Sequence, residues 1–128
     1  MTLLLDTDVL VDCLRAWPPA ERWLRENSSQ PFLVPGLVAM ELIYGCPNQK
    51  ELDRTRRLVD RFAIIWPTVE DSILAFELLN RHRLASGLSI PDCYIAAQAL
   101  NRRARLHSFN QKHFSCIPGL DVQPPYTR

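Results

Sequence analysis

The chain has 128 residues, 47% apolar and 23% charged, with no long polar tract, so it is expected to fold as a single domain over residues 1–128. A second domain is not expected at this length, and disorder is expected only at the ends. Fifteen basic against fourteen acidic residues leave a net charge of +1, which excludes an overall field for a polyanionic partner; any nucleic-acid contact must be local.

Thr2 to Asp6 is apolar on both faces, as a buried central strand should be. Pro18-Pro19 opens a helix through Arg25, because proline is favoured in a first turn. Phe32-Leu33-Val34 is a second strand before Pro35. Leu37 to Tyr44 reads as a helix apolar nearly all round, ending near Gly45 and Pro47, with Glu41 inside it. A charged helix is expected over Glu51 to Phe62, with Leu52, Leu58 and Val59 inward, followed by the strand Ala63 to Trp66. Thr68 and Asp71 form a capping-box-like start to a helix that ends at Gly87, with Val69, Ile73, Phe76 and Leu79 on one face. Ser89-Ile90-Pro91-Asp92 starts the last long helix, which carries Ile95, Ala96, Ala99 and Leu100. Leu106 to Phe109 is a fourth strand, and Leu120-Asp121-Val122 a short edge strand.

This alternation points to an α/β fold, a three-layer α/β/α sandwich with a mostly parallel central sheet of four to five strands. Sites in such sheets form beyond the carboxyl ends of strands, where strand order switches. Asp6 closes the first strand and Asn110 follows the fourth, so both are expected at that crevice, and Asp92 in a first helical turn can point there too. Cys13, Cys46, Cys93 and Cys116 have neither zinc-site nor disulfide-framework spacing and read as reduced thiols. The apolar start lacks a basic leader, and no run approaches the ~18 apolar residues that span a bilayer, so no membrane association is expected and the expected location is the cytoplasm.

Acidic side chains in such places repel, by about 4 kcal/mol for a pair ~4 Å apart at an effective dielectric near 20, unless a cation or raised pKa values compensate. Mg²⁺ or Mn²⁺ supplies that compensation, being hard and suited to oxygen ligands. Ordinary roles compete. Asp6 can accept N–H bonds from the turn after its strand, Asp8 can cap the short helix carrying Val9 and Leu10, and Asp92 can pair with Ser89 in a capping box. Glu41, among apolar neighbours, needs a solvent slot or a partner. Asp12, Glu70, Asp71, Glu77 and Asp121 read as solvated or capping acids, and His82, His107 and His113 as surface or satisfied residues. Arg54, Arg56, Arg57 and Arg61 on one helix, and Arg102, Arg103 and Arg105 before the fourth strand, are either solvated faces or contacts to an RNA backbone.

Taken in order, Leu4-Leu5-Asp6-Thr7-Asp8-Val9-Leu10-Val11-Asp12, Glu41 in its apolar helix, Ile90-Pro91-Asp92 with Ile95-Ala96-Ala97, and Ser108-Phe109-Asn110-Gln111-Lys112-His113-Phe114 resemble the PIN-domain family, above all its VapC-type toxins. The resemblance spans nearly the whole chain. It implies a PIN-like α/β/α fold and a Mg²⁺- or Mn²⁺-dependent endoribonuclease, usually homodimeric, held inactive by a VapB-type antitoxin and meeting DNA only through that antitoxin. Asp6, Glu41 and Asp92 match the family's three acidic metal-site residues. Asn110 stands where many members have a fourth acid, and Ser108 where Thr or Ser is common. The mechanism implied has Asp6 and Asp92 hold the principal ion, Glu41 bind it or orient the attacking water, and Asp8, Ser108 and Asn110 support them by hydrogen bonds.

Two other readings compete. Strand-Asp6-x-Asp8 also begins haloacid-dehalogenase-type phosphotransferases, with Asp6 as nucleophile and Asp8 as acid/base, but the chain has only Lys50 and Lys112 and no late acidic pair. A catalytically weak PIN-like binding module, whose acidic crevice accepts a basic peptide from a DNA-binding partner, is the non-enzymatic alternative.

Overall fold

The computed structural model describes residues 1–128. Five strands, β1 (Leu3–Leu5), β2 (Phe32–Pro35), β3 (Ala63–Ile65), β4 (Arg105–His107) and β5 (Val122–Gln123), form one sheet in the order β3-β2-β1-β4-β5. Every pairing is parallel. Parallel neighbours need crossovers, and helices fill them: α1 (Thr7–Leu14), α2 (Pro18–Glu26), α3 (Gly36–Tyr44), α4 (Gln49–Val59), α5 (Val69–Ser86), α6 (Ile90–Arg102) and α7 (Gln111–Phe114). Central β1 is buried on both faces, as its unbroken leucines require. The order reverses between β1 and β4, which places the topological switch point at the carboxyl ends of those two strands.

Most elements lie where the sequence places them, within a few residues. Trp66 lies outside β3 and is 58% exposed, and its indole sits over Gly36, where any Cβ would collide with the ring. The fourth strand is Arg105–His107, so Ser108 and Phe109 lie just beyond it rather than within it, and the edge strand is Val122–Gln123. Arg61 lies past the end of α4. The four-residue α7 has no counterpart in the sequence reading.

The apolar face of α5 is the main reversal. Val69, Ile73 and Phe76 point to solvent, Phe76 at 64% exposure, while Asp71, Ala75 and Leu78 are buried. Asp71 sets this rotation. It closes the Thr68 capping box and also accepts hydrogen bonds from Asn101 (2.7 Å) and Arg102 (3.3 Å) of α6, which turns its own stripe inward. Those bonds outweigh the upward push of burial and hold the Asp71 carboxyl below its ordinary pKa.

Asp12 is likewise not solvated. It is 5% exposed and accepts bonds from the Tyr126 hydroxyl (2.8 Å) and the Arg128 guanidinium (2.9 Å), so the last residues of the chain pin α1. The Arg128 guanidinium also lies 4.6 Å from the centre of the Phe109 ring, and that ring packs edge-on against Tyr126. All four cysteines are free thiols. No helix is long and apolar enough to cross a membrane.

Candidate active site

Asp6 leaves β1 with extended backbone and caps α1: its Oδ1 accepts the Thr7 N–H at 2.8 Å. The cap of the first helix is therefore Asp6, not Asp8. Its other oxygen, Oδ2, accepts the Ser108 hydroxyl at 2.7 Å, a bond between residues 102 positions apart that the β1–β4 pairing makes possible. Ser108 is fully buried and Asp6 is 7% exposed. Burial, with the charge of Asp8 next, pushes the Asp6 carboxyl up to about 6.

Asp8, in the first turn of α1, turns toward the β4–α7 connection. Its Oδ2 accepts the Phe109 N–H at 2.9 Å, while its buried Oδ1 has no partner. Burial raises its pKa, and the Phe109 bond opposes the rise. The Ser108 hydroxyl oxygen in turn accepts the Asn110 N–H at 2.9 Å. One buried hydroxyl thus ties the Asp6 carboxylate to the backbone that carries Asn110.

Asp92 caps its helix and also faces the cleft. Ser89 and Asp92 make a full capping box at the start of α6: the Ser89 Oγ accepts the Asp92 N–H and Asp92 Oδ2 accepts the Ser89 N–H, each at 3.2 Å. The same carboxylate lines the cleft. Glu41 lies on the exposed side of α3, opposite the buried Val38, Ala39 and Leu42, so it is not walled in by apolar neighbours. Its Oε2 accepts a long bond from the Thr7 hydroxyl (3.4 Å), and partial burial followed by the charge of Asp92 raises its pKa.

These residues meet in one cleft of about 310 Å³ at the switch point, lined by polar side chains apart from Pro91. Asp6, Asp8, Glu41, Asp92 and Asn110 all line it; Ser108 lies beneath. No three His, Cys, Asp or Glu side chains are gathered closely enough to ligate one ion as they stand. The donor set nevertheless suits Mg²⁺ or Mn²⁺, being carboxylate and amide oxygen throughout, and a dication would offset the neighbouring charge that adds to burial in raising the Asp6 and Glu41 pKa values.

The sequence reading missed two participants: Thr7, which bonds Glu41, and His113, whose Nδ1 lies 3.1 Å from Asn110 Nδ2 and 3.8 Å from Asp92 Oδ2. The three-residue spacing of Asn110 and His113 carries that signal only once α7 is known to be helical. His107 is buried and satisfied by its contact to the Gln123 carbonyl, as expected. Of the arginines, Arg54, Arg56, Arg102 and Arg105 pair with Glu51, Asp60, Asp71 and Asp121.

The PIN domain family profile matches residues 3–119, nearly the whole chain. The chain belongs to the PIN domain family. Solved structures share the fold. A toxin–antitoxin complex from Klebsiella pneumoniae is 28% identical with a TM-score of 0.76, over 97% of this chain and 98% of the other. VapBC2 from Rickettsia felis, bound to a DNA fragment from its promoter, shares the fold at TM-score 0.82 and 23% identity, over 97% and 98% of the two chains. VapC20 from Mycobacterium tuberculosis, a sarcin–ricin loop cleaving toxin, does so at 0.69 and 19%, over 95% and 99%. Comparison with curated proteins gives no match.

Proposed function

We propose that this PIN domain is a VapC-type toxin: a Mg²⁺- or Mn²⁺-dependent endoribonuclease of the cytoplasm, neutralised by a VapB-type antitoxin, homodimeric, and reaching DNA only through the antitoxin. The observation that carries the reading is the convergence of Asp6, Glu41, Asp92 and Asn110 on one acidic cleft at the β1/β4 switch point. The toxin–antitoxin neighbours and the RNA-cleaving VapC20 support it. So does the exposed apolar surface. Met40, Tyr44 and Trp66 border an apolar groove of about 370 Å³, and Val69, Ile73 and Phe76 form a second stripe, the kind of surface that protein partners cover.

Asp6 and Asp92 would hold the ion, and Glu41 would complete its surroundings or orient water. Such an ion would supply Lewis acidity, offsetting phosphodiester charge and lowering the pKa of a nearby water. Ser108 keeps Asp6 in one rotamer by donating to Oδ2, and Asp8 holds the Ser108–Asn110 backbone by accepting from Phe109. Ser89 does the same for Asp92 from the start of α6.

The test is cleavage of a total RNA pool by the purified, partner-free chain with Mg²⁺ or Mn²⁺ against EDTA. Metal-dependent cutting is expected, with losses of 10³-fold or so in D6N and D92N, on the order of ~4 kcal/mol of barrier. Cutting at the parent rate by either variant would overturn the assignment. The neutral Asn110 and the absence of three gathered ligands favour one alternative, the binding module. That reading is supported if the folded, metal-replete chain binds a small basic-tailed partner tightly and cuts nothing. The phosphotransferase reading falls with the family assignment, and Asp8 is engaged by Phe109 rather than free for acid–base work.

A further inference from the structure

We propose that His113 is a positioning residue that turns the Asn110 carboxamide so that its oxygen, not its nitrogen, faces the acidic cleft. The inference deepens the metal-site reading above and rests on it. Asn110 occupies the N-cap position of α7, where an asparagine ordinarily turns its side-chain oxygen to the helix's own free N–H groups. Here it makes no such bond. Its backbone is fixed from below by donation to the Ser108 hydroxyl oxygen (2.9 Å), and its Nδ2 lies 3.1 Å from His113 Nδ1, at hydrogen-bond distance.

The other candidate partner of that ring nitrogen, Asp92 Oδ2, is 3.8 Å away, beyond a hydrogen bond. With its proton on Nε2, the imidazole accepts from the amide N–H₂ at that distance. Asn110 Oδ1 has no partner within the chain, on a residue that lines the cleft with Asp6, Glu41 and Asp92. Left to itself, an amide beside three carboxylates would turn its N–H₂ toward them, because that edge is the donor. His113 holds it the other way. The cleft thus gains a neutral oxygen, the hard donor a divalent cation takes alongside carboxylates.

A carboxylate offers oxygen in either rotamer, which gives the test its control. Mn²⁺ binding to the purified chain is measured by electron paramagnetic resonance of the free ion, with metal-free thermal melts confirming that each variant is folded. H113L is expected to weaken Mn²⁺ affinity about tenfold, as removal of a ligand-orienting partner typically does. H113N, which keeps an acceptor near the place of Nδ1, should restore most of the loss. In an N110D background, H113L should change affinity by less than about twofold, since orientation no longer matters.

Equal losses from H113L in both backgrounds would show a merely structural role and overturn the proposal, as would unchanged affinity in H113L alone. D6N separates the two levels. If the parent binds Mn²⁺ and D6N does not, the metal-site reading stands whatever His113 does. If the parent binds none, or D6N binds as the parent does, that reading fails and this inference with it.

Discussion

Asp6 shows how one side chain serves the fold and the chemistry at some cost to stability. It caps α1 and receives Ser108, yet burial and Asp8 hold its carboxyl near a pKa of about 6 against an ordinary 3.8. For an acid with a raised native pKa, the folded chain binds more protons than the unfolded one between those values. The stability of the metal-free chain therefore falls as pH rises from about 4 to 6, by up to ~3 kcal/mol for two units. D6N should remove that slope and raise the unfolding free energy at pH 7.5, because asparagine caps a helix as well as aspartate. Denaturant melts at pH 4.5 and 7.5 check it; a D6N chain less stable than the parent at pH 7.5 would contradict it. The three acids were legible because each interrupts an apolar run. Glu41 was found for a partly wrong reason, since it faces solvent across the cleft rather than sitting among apolar side chains. Asp12 misled because its partners, Tyr126 and Arg128, stand more than a hundred residues away.

Capping is the feature of elements that sequence reveals best, because donor and acceptor are three residues apart. The capping boxes of α5 and α6 appear as read from Thr68/Asp71 and Ser89/Asp92. At α6 the cap does double duty, since the same carboxylate lines the cleft. S89A should cost ~1 kcal/mol, roughly 4 °C in melting temperature, and should lower cleavage more than that loss of stability explains by freeing Asp92. A variant that melts lower but cuts at the parent rate would separate cap from site. What local pattern could not give is the rotation of α5. Its apolar stripe and its Asp71 stripe both have helical spacing, and only the hydrogen bonds to Asn101 and Arg102 on α6 decide which one turns inward. The short α7 escaped for a related reason: four residues are too few to show a period.

At the scale of the molecule, the α/β/α layering and the parallel sheet follow from the alternation of short apolar strands with helices, and the switch point falls between the strands that end in Asp6 and lead to Asn110. The closure made by the chain's last residues is a tertiary fact that no local pattern announces. Y126F should cost about 2 kcal/mol in denaturant unfolding, the usual worth of a hydrogen bond to a charged, buried group, because Asp12 keeps only the half-exposed Arg128. No change in unfolding free energy would mean that Arg128 alone satisfies Asp12. The 102-residue separation of Asp6 and Ser108 has a consequence for the order in which the site comes into being. All three acids are synthesised by residue 92, but β4, the buried hydroxyl and the loop with Asn110 follow only after residue 104. A chain folded only as far as α6 would hold all three acids and still lack the Ser108 hydroxyl and the Asn110 loop that complete the cleft. The acids are thus necessary but not sufficient, and the fourth strand is what turns three separate side chains into one site.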